Sequence, residues 1–472
     1  MTTTLDPSSP STALGPRRRW TILAVCASSL FLVGLDTTVV NAALPSIAAD
    51  LGAGALALQW IVDAYTIVFA SLLITSGALA DRFGRRRTLL TGMVVFAVAS
   101  AACALATGAG SLVAARALQG VGASMLTPVA LAIVVTAMPD PRERARAIGV
   151  WSSVFGLSTA VGPLVGGALL TTTAGWRGVF WLNVPVAAAA VVLVLAVVPE
   201  SRAPRPRPLD PRGQLLLAGV LALGVGLLIE APHLGWTSPA TIGLGAVLLA
   251  GGAAFVACER RVPQPLVDPS LFLRWSFTAA VLGAVALFTA LSATLLFTTY
   301  HLQVGLGWDA LTAGTALLPL ALGALVCGPP SGALVARFGP RPPLLVAALS
   351  TATGGVLAWS ATQQDGTRVP VLLLGHLLIG VGLGFGNAPI TNTAVSGLPP
   401  ARSGVAAGIA STARQVGSAV GIALAGGAVA GERTVSTSVS TAVRGGWWLV
   451  VGCGVLLLAT AAAARRRDPV VR

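Results

Sequence analysis

Long apolar runs constrain this chain more than any other feature. Residues 20–33, 89–106 and 178–198 are interrupted only by small polar residues. A run of about 20 apolar residues is long enough to cross a bilayer as a helix, and a soluble helix of that length would interleave a polar face. Charge points the same way. Only 10% of the 472 residues are charged and 55% are hydrophobic, whereas a soluble domain is about a quarter charged. Too little polar surface remains to cover a globule of this size in water. Fourteen spans are expected, at 20–44, 58–80, 88–107, 111–137, 147–172, 178–198, 213–232, 240–258, 276–302, 311–335, 343–361, 369–393, 403–429 and 445–464. A count of twelve would demote 213–232 and 240–258, both apolar enough to cross.

The formal net charge is +14, and all 30 basic residues are arginine. Nucleic-acid binders gather such charge on one face or one helix; here it is spread over short loops, which argues against a nucleic-acid partner. The loops on the side of the N-terminus hold 24 of the 30 arginines, and the opposite loops hold Arg177, Arg368, Arg433 and Arg444. That asymmetry is the positive-inside pattern, so both termini are expected in the cytoplasm of a multi-pass protein of a bacterial plasma membrane. The polar, then basic, start MTTTLDPSSPSTALGPRRR reads as an uncleaved tail, because the apolar run after it is too long for a signal peptide and lacks an A-x-A site. The absence of lysine, with abundant Ala, Gly, Pro and Arg, suits a GC-rich genome.

The chain repeats itself. GALADRFGRRRTLL at 77–90 and GALVARFGPRPPLL at 332–345 match at nine of fourteen positions, after spans 2 and 10. At nearly the same offset LVAARALQGVG at 112–122 aligns with LLLGHLLIGVG at 372–382, which sets Gly120 on Gly380, Gly122 on Gly382 and Arg116 on His376. The expected organisation is a tail at 1–19, a six-helix half at 20–198, a linker and inserted helix pair at 199–275, a second six-helix half at 276–464 and a tail at 465–472. Internal repeats of this kind mark transporters with a substrate site near the midplane between the halves.

Three stretches carry the chemistry. Asp36, in GLDTTVVNAALPSI at 34–47, lies deep in an apolar run. A carboxylate there is costly and functional by default. Burial favours its neutral form and a nearby cation its charged form, which makes it a candidate proton carrier; Thr37 and Asn41, four apart, could supply hydrogen bonds. Arg116 and Gln119 share one face of span 4, and a permanently charged guanidinium in a membrane needs a partner. In span 5, GLSTAVGPLVGGAL at 156–169 sets Ser158, Gly162 and Gly166 four apart on one face. Small residues at that spacing let helices approach closely, and Pro163 removes a backbone hydrogen bond.

These stretches resemble the major facilitator superfamily, and within it the fourteen-helix drug:proton antiporters, over nearly the whole chain. Gly77, Leu79, Asp81, Arg82, Gly84, Arg85 and Arg86 are similar to its G-x-L-x-D-R-x-G-R-[KR] loop. Gly162, Pro163, Gly166 and Gly167 are similar to its antiporter signature, with Ser158 in place of the first glycine. Residues 35–45 are similar to L-D-x-T-[IV]-V-N-[VA]-A-L-P. The resemblance implies an all-α integral membrane protein with the major-facilitator fold, two six-helix repeats plus an inserted pair and 14 transmembrane helices. It implies proton-coupled export of a small amphipathic drug or antibiotic through the lipid bilayer by a monomer. Asp36 and Arg116 would couple the proton. Thr37, Asn41, Asp63, Gln119, His376 and Arg414 would line the substrate cavity. The loop of Gly77, Asp81, Arg82, Gly84, Arg85 and Arg86 would be a conformational latch, confined to one half because the second copy has Ala336 for Asp81. Gly162, Pro163, Gly166 and Gly167 would be a hinge or seam. Trp176, Arg177 and WLNVP at 181–185 resemble a stretch that seats a loop. Rival readings are an uptake symporter on the same fold, an exporter dedicated to one self-made secondary metabolite, and a membrane sensor or scaffold that does not transport. No enzyme, metal or cofactor is expected, the drive being the proton gradient: no GxxxxGK[ST] is present, and His233, His301 and His376 have no ligand spacing. Five scattered cysteines without a CxxC read as small core residues.

Overall fold

The computed structural model describes residues 15–202, 209–363, 367–395, 400–430 and 436–463. Residues 1–14 of the first expected tail and all of the second lie outside them. The described residues are helical, with no strand. The helices are α1 (Pro16–Leu51), α2 (Ala55–Phe83), α3 (Arg85–Ala104), α4 (Ala109–Ala137), α5 (Pro141–Leu170), α6 (Gly175–Trp181), α7 (Asn183–Val197), α8 (Pro211–Leu234), α9 (Pro239–Glu259), α10 (Trp275–Thr299), α11 (Ala310–Thr315), α12 (Leu318–Phe338), α13 (Arg341–Ala361), α14 (Val369–Val395), α15 (Pro400–Ala430) and α16 (Ser436–Ala463). Helices are the only open backbone structure that bonds its own polar groups inside lipid.

Twelve passes are long and apolar enough to cross a membrane on the described residues; α5 and α15, of 30 and 31 residues, are two further long helices packed among them. One pass is α6 followed by α7 and another is α11 followed by α12. Proline explains both interruptions. Pro185 and Pro319 have no N–H for the carbonyl four residues back, and the helix is relaid at Leu182 and at Ala316–Leu317. Asp309 caps α11, and its bonds from the Thr312 amide and hydroxyl hold that loop carboxyl below the ordinary carboxylate range.

Packing repeats as the sequence does. In the first six passes α1 packs on α5, α2 and α3 on α4, and α7 on α1 and α3. In the last six α10 packs on α15, α12 and α13 on α14, and α16 on α10 and α13. The paired glycines of the sequence echo make the same contacts in each set. A Cβ at Gly120 would stand 2.6 Å from the Tyr65 carbonyl of α2, and Gly380 abuts the Leu320 carbonyl of α12. Gly122 lies against Phe96 of α3 and Gly382 against Thr351 of α13. Gly84 and Gly339, one in each copy of the repeated loop, have φ +111° and +79°, which favours glycine there.

The two sets meet through α2 with α15 and through α5 with α11 and α12. We call the face at the start of α1 the basic face. Toward the opposite face the meeting is close. A Cβ at Gly167 would lie 2.5 Å from Leu311 Cα, one at Gly314 2.5 Å from the Pro163 carbonyl, and Gly426 abuts Gln59. Gln303 also donates to the Ala42 carbonyl at 3.3 Å. The inserted helices α8 and α9 pack on each other at the periphery, and α8 lies against both α2 and α15.

Candidate functional site

Asp36 is completely buried in α1, and three side chains from two other helices donate to its carboxylate. Arg116 Nη1 on α4 reaches Oδ2 at 2.7 Å. Gln119 Nε2 on α4 reaches Oδ1 at 2.9 Å and Asn183 Nδ2 on α7 reaches it at 2.7 Å. Arg116 and Gln119 are three apart and therefore share a face, and Gly120 brings that face against α2. Arg116 Nε accordingly donates to the Ile61 carbonyl at 3.2 Å, and the guanidinium carbon sits 4.2 Å from the Tyr65 ring centroid. Gln119 and Asn183 both also donate to Ser100 Oγ on α3. One carboxylate thus gathers α1, α3, α4 and α7. Both carboxylate oxygens are bonded and the charge is paired, as an ion pair out of water requires; among the described residues Arg116 Nη2 has no hydrogen-bond partner.

The sequence pointed to Asp36, Arg116 and Gln119. It did not point to Asn183, Ser100 or Tyr65. Asn183 lies in the stretch expected to seat a loop. Only Trp176 and Arg177 do that, donating to Asp50 at the far end of α1 at 2.9 and 2.6 Å. The signal for Asn183 was present: it is an amide in an otherwise apolar span. Thr37 and Asn41 do not reach Asp36. Their side chains donate to the Val33 and Thr37 carbonyls of their own helix at 2.8 and 3.1 Å, the back-bonding that short polar side chains make when no better acceptor is in reach.

The other polar residues lie elsewhere. Asp63 is buried in α2, one turn from Gln59, and among the described residues neither of its oxygens has a hydrogen-bond partner. His376, on the position that repeats Arg116, pairs with Thr298 of α10 at 2.9 Å and with the Ala316 carbonyl at 2.8 Å, a packed polar contact within the second set of helices. Arg414 on α15 donates to Thr391 of α14 at 3.3 Å and to Ser411 at 2.5 Å.

The span-5 glycines divide between two neighbours. Gly162 and Gly166 lie against Thr38 and Val39 of α1, and Gly167 against Leu311 of the second set. Pro163 presents its carbonyl to Gly314. In the repeated loop Asp81 pairs with Arg85 one turn on at 3.0 Å, and Arg85 also reaches Thr136 of α4. Glu200 accepts from the amides of Arg86 and Arg87 at 3.1 and 3.3 Å, so a carboxylate sits at the positive N-terminus of α3. Arg86 donates to the Leu195 carbonyl at 2.6 Å, Arg82 is exposed, and Gly77 has open space beside it. Among the described residues Asp81 forms no ion pair with the second set of helices.

A twice-repeated six-pass bundle with a buried ion pair inside its spans has the organisation of a secondary transporter. The chain belongs to the major facilitator superfamily, whose family model matches residues 26–422. It is 37% identical over 401 residues to the multidrug resistance protein Stp of Mycobacterium tuberculosis (strain CDC 1551 / Oshkosh), covering 85% of this chain and 74% of that one. It is 37% identical over 410 residues to the tetracenomycin C resistance and export protein of Streptomyces glaucescens, covering 87% and 76%. The fold matches a crystal structure of a D-xylose–proton symporter with a TM-score of 0.64 at 16% identity, covering 95% and 98%.

Proposed function

We propose that this chain exports drugs or antibiotics across the cytoplasmic membrane in exchange for protons, by alternating access, with both termini in the cytoplasm of a bacterium. The observation that carries the coupling is the buried Asp36 with its three donors. A proton arriving from outside neutralises the carboxylate and removes the charge that holds α4 and α7 to α1. Thr38 and Val39, within one turn of Asp36, pack on Gly162 and Gly166. The same stretch of α5 presses Gly167 on Leu311 of the second set. A change at Asp36 therefore has a short mechanical route to the seam between the halves, 20–198 and 276–464, which rock about the substrate. Asp63, buried beside the α2–α15 seam and without a hydrogen-bond partner among the described residues, is a second acidic group that substrate or proton entry would use. Asp81, Arg85 and Glu200 order the loop after α2 as a latch on the basic face.

Each inward proton brings about 2.3 kcal/mol per 100 mV and about 1.4 kcal/mol per pH unit; about 100 mV and one pH unit together are worth roughly five-hundredfold in drug gradient per coupled charge. The relatives' names, multidrug resistance and antibiotic export, support the outward direction over uptake. No cofactor is needed for this drive, and a single chain contains the whole relay. The test uses inverted membrane vesicles energised to an acid interior, with wild type and Asp36→Asn compared over a panel of lipophilic cations, organic anions and neutral antibiotics. Compound-dependent proton release from the lumen in wild type alone is expected. Full export by Asp36→Asn would refute the assignment.

A further inference from the structure

Two arginines lie inside the spans, and their surroundings differ in kind. Arg116 is wholly buried and its charge is met by Asp36 at 2.7 Å. Arg414, near the middle of α15, is only partly buried, and among the described residues no carboxylate lies within ion-pair distance of it. Its Nη1 and Nη2 donate to the hydroxyls of Thr391 and Ser411. Hydroxyls orient a guanidinium without neutralising it. Among the described residues the second set of helices offers it no counter-charge. From residue 276 to 464 its acidic residues are Asp309, which caps α11, and Asp365 and Glu432, which lie outside the described residues. In the first set Asp36 is occupied by three donors, and Asp63 accepts no bond from Arg414. A guanidinium stays charged throughout the physiological range, so among the described residues this part of the bundle holds a fixed, partly exposed positive charge with no counter-charge at membrane depth. A charge in that position calls for a counter-charge, and here it must come from a ligand.

We propose that Arg414, held in place by Thr391 and Ser411, is the recognition site for an acidic group on the substrate, a carboxylate or an ionised phenol, so that the transported class is amphipathic organic anions. The planar fork of the guanidinium suits two oxygens at once. Asp36 is ruled out as a docking site for a substrate cation by its burial and its three donors. An anion leaving and a proton entering also move charge in the same sense, so an inside-negative membrane potential drives both. This inference rests on the exporter reading of the same site.

The test is a binding measurement on the purified full-length chain in detergent, without any gradient. Quenching of the intrinsic tryptophan fluorescence reports binding of anthraquinone-2-carboxylate and of its uncharged carboxamide. Wild type should bind the carboxylate about tenfold or more tightly than the carboxamide. Arg414→Gln should abolish that preference with carboxamide affinity unchanged, and Arg414→Lys, which keeps the charge and loses the fork, should retain part of it. Equal affinity for the two compounds in wild type, a preference that survives in Arg414→Gln, or no saturable carboxylate binding at millimolar concentration would each overturn the proposal. Arg414→Lys and the wild-type comparison decide the matter should Arg414→Gln not fold. Proton release from vesicles by neutral antibiotics is independent of Arg414's preference, so export can stand when anion recognition fails.

Discussion

At the scale of single residues the molecule depends on how Asp36 is partnered. Arg116→Ala leaves a buried carboxylate without its cation, and loss of one partner of a buried pair costs about 3–5 kcal/mol. A matching fall in thermal stability and in membrane yield is expected, partly restored in Asp36→Asn/Arg116→Ala, where no charge is left to compensate. An equal loss in the single and double variants would show that Arg116 acts by packing. Asn183→Ala removes one of three donors to the charged carboxylate. A proton then competes with two, and export should persist to more alkaline pH than in wild type, with the protein folded. An unchanged pH profile would leave Asn183 a packing residue. Asn183 also shows where sequence reasoning stopped. A carboxylate and an arginine in apolar runs are costly enough to be conspicuous, but an amide is tolerated in many membrane helices, and only the folded bundle sets it beside Asp36.

At the scale of helices Gly167 of α5 is informative because its nearest neighbours are all backbone. A side chain at Gly167 would meet Leu311 Cα and the Ala310 carbonyl at 2.5 and 2.6 Å, and neither can step aside as a flexible side chain could. Gly167→Val should hold α5 away from α11 and open the face opposite the basic one. The readout is a cysteine at Leu311 in a chain without its natural cysteines. A membrane-impermeant maleimide should label it from that face several times faster in Gly167→Val than in the Gly167 parent. Equal labelling rates would mean that this contact does not close the face. Gly162 and Gly417 show the limit of motif reading. The Gly-Pro signature appears in α5 only, yet Gly162 on α1 and Gly417 on α10 make equivalent close contacts. The pairing is a property of the repeat, and the proline adds to one copy of it.

At the scale of the whole molecule the inserted pair has a side. α8 is tied to α2 by polar bonds near both ends: Gln214 donates to the Ser71 carbonyl at 2.8 Å and meets Thr75, and Trp60 donates to Glu230 at 3.4 Å. Against α15 it presents Val225, Ile229 and Pro232 to Ala419, Ala423 and Gly427, a smooth apolar contact. Polar bonds specify one register, whereas small apolar residues permit sliding. The pair should therefore travel with the N-terminal half. A disulfide between cysteines at Thr75 and Gln214 should leave export intact, and one between cysteines at Pro232 and Gly427 should arrest it until reduced. The reverse pattern would assign the pair to the C-terminal half.

The sequence by itself determined that this is a helical membrane protein, where its passes lie, that it is built twice over, and that Asp36 and Arg116 are charges placed inside apolar spans. Each of these is a one-dimensional property: a run of apolar residues, an offset between echoes, or a charge where charge is expensive. Tertiary structure alone decided who meets whom. Thr37 and Asn41, close to Asp36 along α1, turned to their own backbone, while Asn183, 147 residues away, became a hydrogen-bond donor to the carboxylate. His376, at the repeat position of Arg116, found a hydroxyl and a carbonyl in place of an acid, and Arg414 found no acid at all among the described residues. The physical reason is that spacing along a helix fixes only which face a side chain occupies; what stands opposite that face depends on how closely glycines let a neighbouring helix approach and from which part of the chain it comes.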